Sequence, residues 1–135
     1  MKKHLIIIVF CLSVIESYAQ NGMKHVVLGA YKSFAEQVTE PNTIYEIRNV
    51  FELRKATVVI PNNCILFFNG GRLKNGRLSG CFTIRADEIQ IFENVAIDSI
   101  NNSAFYAIWM LGGNTVLSNS FFANLPKVKI VFNPN

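Results

Sequence analysis

Glycine and asparagine recur so closely between Cys64 and Ile84, CILFFNGGRLKNGRLSGCFTI, that no regular helix can form there. Leu66, Leu73, Leu78 and Ile84 are the apolar positions, and Asn69-Gly70-Gly71, Asn75-Gly76 and Gly80 are the corners. Each apolar run is too short for a strand of an ordinary hairpin meander. Short strands with a corner every few residues suit a chain wound as a coil around one core.

A recurrence supports the coil. Leu73-Lys74-Asn75-Gly76-Arg77-Leu78 returns 19 residues later as Phe92-Glu93-Asn94-Val95-Ala96-Ile97. It returns more weakly as Leu111-Gly112-Gly113-Asn114-Thr115-Val116. Backwards, Val59 lies 19 before Leu78 and Ile47 lies 19 before Leu66, while Leu66 to Ile84 is 18. Self-similarity at about 20 residues marks a solenoid, whose repeats stack to bury a shared core. Half the chain is apolar, so the Asn75/Asn94 match weighs more than any apolar one. Asparagine tolerates left-handed backbone and bonds to its neighbours in a turn. The expected inward columns are Val59, Leu78, Ile97 and Val116, and Leu73, Phe92 and Leu111. Neighbours in a column should lie one strand spacing apart, about 4.8 Å.

Residues 1–19 read as a secretory signal: Lys2 and Lys3, an apolar run from Leu5 to Ile15, then small residues around Ser17-Tyr18-Ala19. The run is too short to span a bilayer. The expected location is therefore exported: periplasmic, cell-surface or extracellular. Cleavage would leave 11 basic and 8 acidic side chains, an excess too small to argue for nucleic acid. Two cysteines would remain, Cys64 and Cys81. Alternation points Cys64 inward and Cys81 outward, which favours two free thiols over a disulfide.

Residues 20–43 read as an N-terminal segment and cap. Gln20 to Leu28 has no period. Tyr31, Phe34, Ala35 and Val38 fall at helical spacing, a short cap over the open end of the coil. Residues 44–135 read as the coil. Its expected strands are Ile44 to Arg48, Val50 to Leu53, Thr57 to Ile60, Cys64 to Phe68, Arg72 to Lys74, Arg77 to Ser79, Phe82 to Arg85, Glu88 to Phe92 and Val95 to Asp98. Phe105 to Leu111 reads as a buried strand. Lys127 to Phe132 alternates, with Val128, Ile130 and Phe132 inward and the lysines outward, as on an edge. Nothing after Phe132 covers a last rung. The expectation is more protein downstream; end-to-end packing of two chains and fraying are the alternatives.

Tyr45-x-Ile47, Val58-x-Ile60-Pro61-x-Asn63-Cys64-x-Leu66-x-Phe68 and Gly70-Gly71-x-Leu73-x-Asn75-Gly76 together resemble the N-terminal part of bacterial exported right-handed parallel β-helix proteins of the pectate-lyase-like class. The match covers roughly residues 44–98. Tyr106-x-x-Trp109-x-x-Gly112 resembles the junction into the main coil of such proteins, but the aspartate-rich entry that usually follows is missing here. The resemblance implies an all-β, right-handed parallel β-helix and a polysaccharide as partner. It carries over no catalytic residue, because the matched motif is structural.

Catalytic chemistry has little to draw on. Lyases of that class hold calcium with carboxylates, and calcium is expected here only on a lyase reading. Asp87 and Glu88 are adjacent, so on a strand they face opposite ways. Glu93 and Asp98 are a formal two-carboxylate pair at no fixed separation. His25 stands in the segment without a period. Arg72, Lys74 and Arg77 flank the inward Leu73 and Leu78, so they should project from the coil, with Arg85 near them one rung on. Such a ridge would suit an anionic glycan; ordinary solvated charge is the plainer reading. Trp109 and Tyr106 read as core rather than as a sugar platform. The expected function is a non-catalytic glycan-associated module, with a small polysaccharide lyase or hydrolase, or a structural or adhesive coil, as alternatives.

Overall fold

The computed structural model describes residues 23–110, 116–117, 119, 121 and 129–132. The segment read as a signal lies outside them, as does Leu111. The described chain is a β-solenoid of about 4 turns. Every strand pairing in it is parallel.

Sheet A stacks β1 (Lys24–Val27), β2 (Thr43–Ile47), β5 (Ile65–Phe68) and β7 (Thr83–Ala86) in that order. Sheet B is built on β6 (Arg72–Ser79), an eight-residue strand bent at Asn75. On one side of β6, β3 (Val50–Glu52) pairs with its first half and β4 (Thr57–Val59) with its second. On the other side follow β8 (Phe92–Ile97) and β10 (Val116–Leu117). A third pair joins β9 (Ala104–Tyr106) to β11 (Lys129–Val131).

The inward columns explain the stacking. Tyr45, Leu66 and Ile84 lie in register, as do Phe51, Leu73 and Phe92, and Val58, Leu78, Ile97 and Leu117. All are buried. The expected Leu73–Phe92, Leu78–Ile97 and Leu66–Ile84 pairs are present. Three expected positions are corrected. Val58 occupies the column, and Val59 is 66% exposed. The rung is one residue longer there because Arg54 and Lys55, both left-handed, turn the chain between β3 and β4. Leu117, not Val116, partners Ile97. Ile47 sits beside Phe68, and Tyr45 beside Leu66, because the Pro61-Asn62-Asn63 corner makes that rung 21 residues.

Asparagines shape the corners. Asn42, Asn63, Asn75 and Asn94 all have φ 55°. Asn63 donates to Asn42 at 2.8 Å and Asn94 to Asn75 at 2.9 Å, so two side-chain ladders climb the coil. The Asn75/Asn94 corner match is thus real, and Asn42/Asn63 is a second one that the sequence reading missed. Inside the Asn75 corner there is no room for a side chain. A Cβ on Gly76 would lie 2.5 Å from Leu53 Cβ and 2.9 Å from the Ala56 carbonyl oxygen.

The coil begins one rung earlier than expected, since β1 pairs with β2. Above it the helix α1 (Phe34–Gln37) is a single turn. Ser33 and Glu36 form a reciprocal capping box at its start. Phe34 and Val38 are buried, and the Phe34 ring lies 6.0 Å from that of Phe51. Tyr31 and Ala35 are exposed, because one helical turn cannot carry a four-residue stripe.

At the other end, Phe105 to Met110 is not one strand: β9 runs into a 3₁₀ turn, Ala107–Met110. Residues 88–91 form no strand either; β8 starts at Phe92. Phe105, Trp109 and Phe121 are buried and pack ring edge to ring face, with centroids 5.2 and 5.4 Å apart, over the last rung. Trp109 also donates its indole N–H to the Asp87 carbonyl at 3.0 Å. Where an uncovered apolar rung was expected, these rings provide a cover. Phe132, expected inward, is 74% exposed, lying past the end of β11. Sheet A stops at β7 because the Asn102 side chain takes both backbone groups of Ile84, each at 2.7 Å, as a further strand would. Cys64 is buried and Cys81 exposed, both free, as alternation requires. No helix among the described residues is long and apolar enough to cross a membrane.

Candidate functional site

Three of the four expected basic residues share β6. Arg72, Lys74 and Arg77 project from sheet B, and each meets a carboxylate on a neighbouring rung. Glu93, in register with Lys74, lies 3.4 Å from its Nζ and 4.0 Å from Arg72 Nη1. Asp98 receives Arg77 through two bonds, at 2.6 and 3.2 Å. These hold the Arg77 guanidinium still further above its usual pKa. On the other side Glu52, in register with Lys74, accepts from Asn75 at 2.7 Å. Its carboxyl is held below the usual range, first by the Arg54 N–H, then by Asn75 and the Lys74 charge. Parallel stacking sets each outward residue beside its counterpart one rung on, and like charges there repel. The ridge is accordingly charge-balanced rather than a bare cationic strip.

Arg85 is elsewhere. It lies on β7 in sheet A, not beside the other three. Its guanidinium carbon sits 4.1 Å from the centre of the Phe67 ring, and it makes no ion pair among the described residues. Stacking of this kind fixes the guanidinium plane and leaves its edge N–H groups for a ligand.

Beside Phe67 lies a group the sequence reading passed over. Glu46 is in register with Phe67, and its side chain is only 5% exposed although it faces outward. Its Oε1 bonds to His25 Nε2 at 2.9 Å; its Oε2 accepts from Arg48 Nε and, at 3.4 Å, from Asn69. Burial pushes this carboxyl up, but the bonds from Arg48, Asn69 and His25 outweigh it and keep the group ionised below the ordinary range. Arg48 and His25 remain about half exposed. His25, Ile44, Ile65 and Thr83 are aligned across the same face, with Ile44 and Ile65 half-buried. The outer face of sheet A thus joins an apolar strip to Arg48, Arg85 and His25, with one sequestered carboxylate.

One signal could have found Glu46. Tyr45 and Ile47 alternate inward, so a charged Glu46 must face out from the middle of a strand. Its neighbours could not be named, because β1 has no sequence period and the Asn63 corner shifts the count by two.

The remaining candidates are not brought together. Asp87 and Glu88 are exposed, and Glu93 and Asp98 serve as counter-ions on sheet B. Among the described residues no group of three His, Cys, Asp or Glu could hold a metal ion. Trp109 is core, 2% exposed. A groove of about 630 Å³ between the α1 loop and β3–β4 is lined by Tyr31, Phe51, Glu52 and Arg54 among others, without a catalytic grouping. No protein-family model, curated protein or solved structure matches the chain.

Proposed function

We propose that this chain is an exported, non-catalytic β-helix module that associates with an anionic polysaccharide through the outer face of sheet A. The observation that carries the reading is Arg85: stacked on Phe67 and free of a carboxylate, while Arg72, Lys74 and Arg77 are occupied. Guanidinium edges bind carboxylate or sulfate groups with two parallel bonds. The half-exposed Ile44 and Ile65 offer an apolar surface beside it for the ring faces of sugars. Export rests on the leader-like residues 1–19, and the glycan on the resemblance described above.

Retention on an immobilised polyuronate tests the reading. The chain should bind at low salt and elute as salt rises, since exposed charges are screened over about 10 Å at 0.1 M. Arg85→Gln should lose most of the retention. The triple change Arg72→Gln, Lys74→Gln, Arg77→Gln should keep most of it. The opposite pattern moves the site to sheet B, and an unretained wild-type chain sinks the reading.

A small polysaccharide lyase is the second reading. It is favoured by the imidazole of His25 held on a buried carboxylate beside Arg48, a base next to a cation. Formation of unsaturated product from a uronate polymer, lost in His25→Ala, would establish it in place of the first.

A further inference from the structure

The chain contains two Asn-Gly dipeptides within seven residues, Asn69-Gly70 and Asn75-Gly76, and the coil treats them oppositely. We infer that Asn69 is a site of spontaneous chemical modification to aspartate and isoaspartate, and that Asn75 is protected. The inference does not depend on the glycan reading.

The chemistry needs only water. The Gly70 amide nitrogen gives up its proton to hydroxide and attacks Cγ of Asn69. A C–N bond forms, the Cγ–Nδ2 bond breaks, and ammonia leaves. Water then opens the cyclic imide at either carbonyl, giving aspartate or isoaspartate. Glycine favours the attack because no Cβ hinders it. The step requires a free amide N–H, an unheld side chain and a backbone able to swing.

Asn69-Gly70 meets all three requirements. The flanking Asn69 and Gly71 N–H groups both donate to the Ile47 carbonyl, at 2.9 and 3.1 Å. The Gly70 N–H between them donates to nothing among the described residues. Both residues are exposed, and a Cβ on Gly70 would meet no atom within 4 Å. The Asn69 side chain has one long bond, 3.4 Å, to Glu46 Oε2.

Asn75-Gly76 meets none. Asn75 Nδ2 donates to Glu52 at 2.7 Å and its Oδ1 accepts from Asn94 at 2.9 Å. Gly76 lies inside β6, paired with Val95. Leu53 packs so closely on it that its backbone cannot turn.

Modification would act on the Glu46 cluster. The amide that donates to Glu46 Oε2 becomes a carboxylate, so a donor is replaced by a like charge. Isoaspartate would also add a methylene to the backbone at the corner that Asn69 and Gly71 anchor to Ile47.

The folded full chain, held at mildly alkaline pH and digested, reports conversion at each site by peptide mass and by isoaspartate content. Asn69 should convert about tenfold faster than Asn75 or more, since freeing Asn75 means breaking two hydrogen bonds. Unfolding in urea should bring the two rates together, and Asn69→Gln should abolish the faster one. Comparable rates in the folded chain overturn the inference. So does the absence of conversion at Asn69 in the folded chain, whatever the unfolded chain does.

Discussion

Leu78 is the residue whose truncation tests the coil most sharply. It is 0% exposed and stands between Val58 on β4 and Ile97 on β8. Leu78→Ala removes three carbons from that column. At about 0.8 kcal/mol per buried methylene the transfer loss is about 2.4 kcal/mol. The void cannot close, because parallel ladders hold the strands on both sides about 4.8 Å away. A residual void of about 60 Å³ at about 24 cal/mol per Å³ brings the cost to about 4 kcal/mol. Urea unfolding followed by far-ultraviolet circular dichroism measures it. With a slope of about 2 kcal/mol per molar, the midpoint should fall by about 2 M with the slope unchanged. Val59→Ala, on the exposed position beside the same column, should cost under about 0.5 kcal/mol. A Leu78→Ala cost below about 0.5 kcal/mol, or a Val59→Ala cost matching it, would refute the stacking and the outward placement of Val59 together.

Gly76→Ala should destabilise by about 1–3 kcal/mol through overpacking against Leu53; an unchanged melting temperature would show that the corner has room. Glu46 should make the coil acid-sensitive. Its folded carboxyl titrates below the unfolded one, so its contribution is fully present above the unfolded carboxylate value and is lost as pH falls through the folded value. Glu46→Gln should flatten that acid limb in a pH series of melts, and an acid limb identical to wild type would show that Glu46 is uncoupled from folding.

The middle of the coil was legible because residue type and geometry agree there. Asn75 and Asn94 are spaced by one rung, and Leu73, Leu78, Phe92 and Ile97 repeat around them without insertion. The count failed where corners change length. Left-handed Arg54 and Lys55 put Val58 in place of Val59, a conformation that neither side chain advertises. Lys24 to Val27 became a strand only because β2 was there to pair with, which is tertiary context overriding a weak local signal. The basic ridge was legible as three outward side chains. Its neutralisation was not, because Glu93 and Asp98 come beside it only through the register. The Glu46 cluster draws its members from β1, β2, the residue after β2 and the Asn69 corner, so no local motif encodes it.

The Asn102 amide on Ile84 bears on the size of the molecule. A stack of parallel strands has no intrinsic length: each strand added leaves a new edge identical in kind to the last, which is how fibrils grow without limit. Finite size therefore has to be imposed by something that satisfies the edge without reproducing it. One primary amide, donating and accepting at 2.7 Å, closes that growing front and offers no main chain for a successor to copy. On the sheet A face, the difference between a counted object and an open polymer rests on a single side chain.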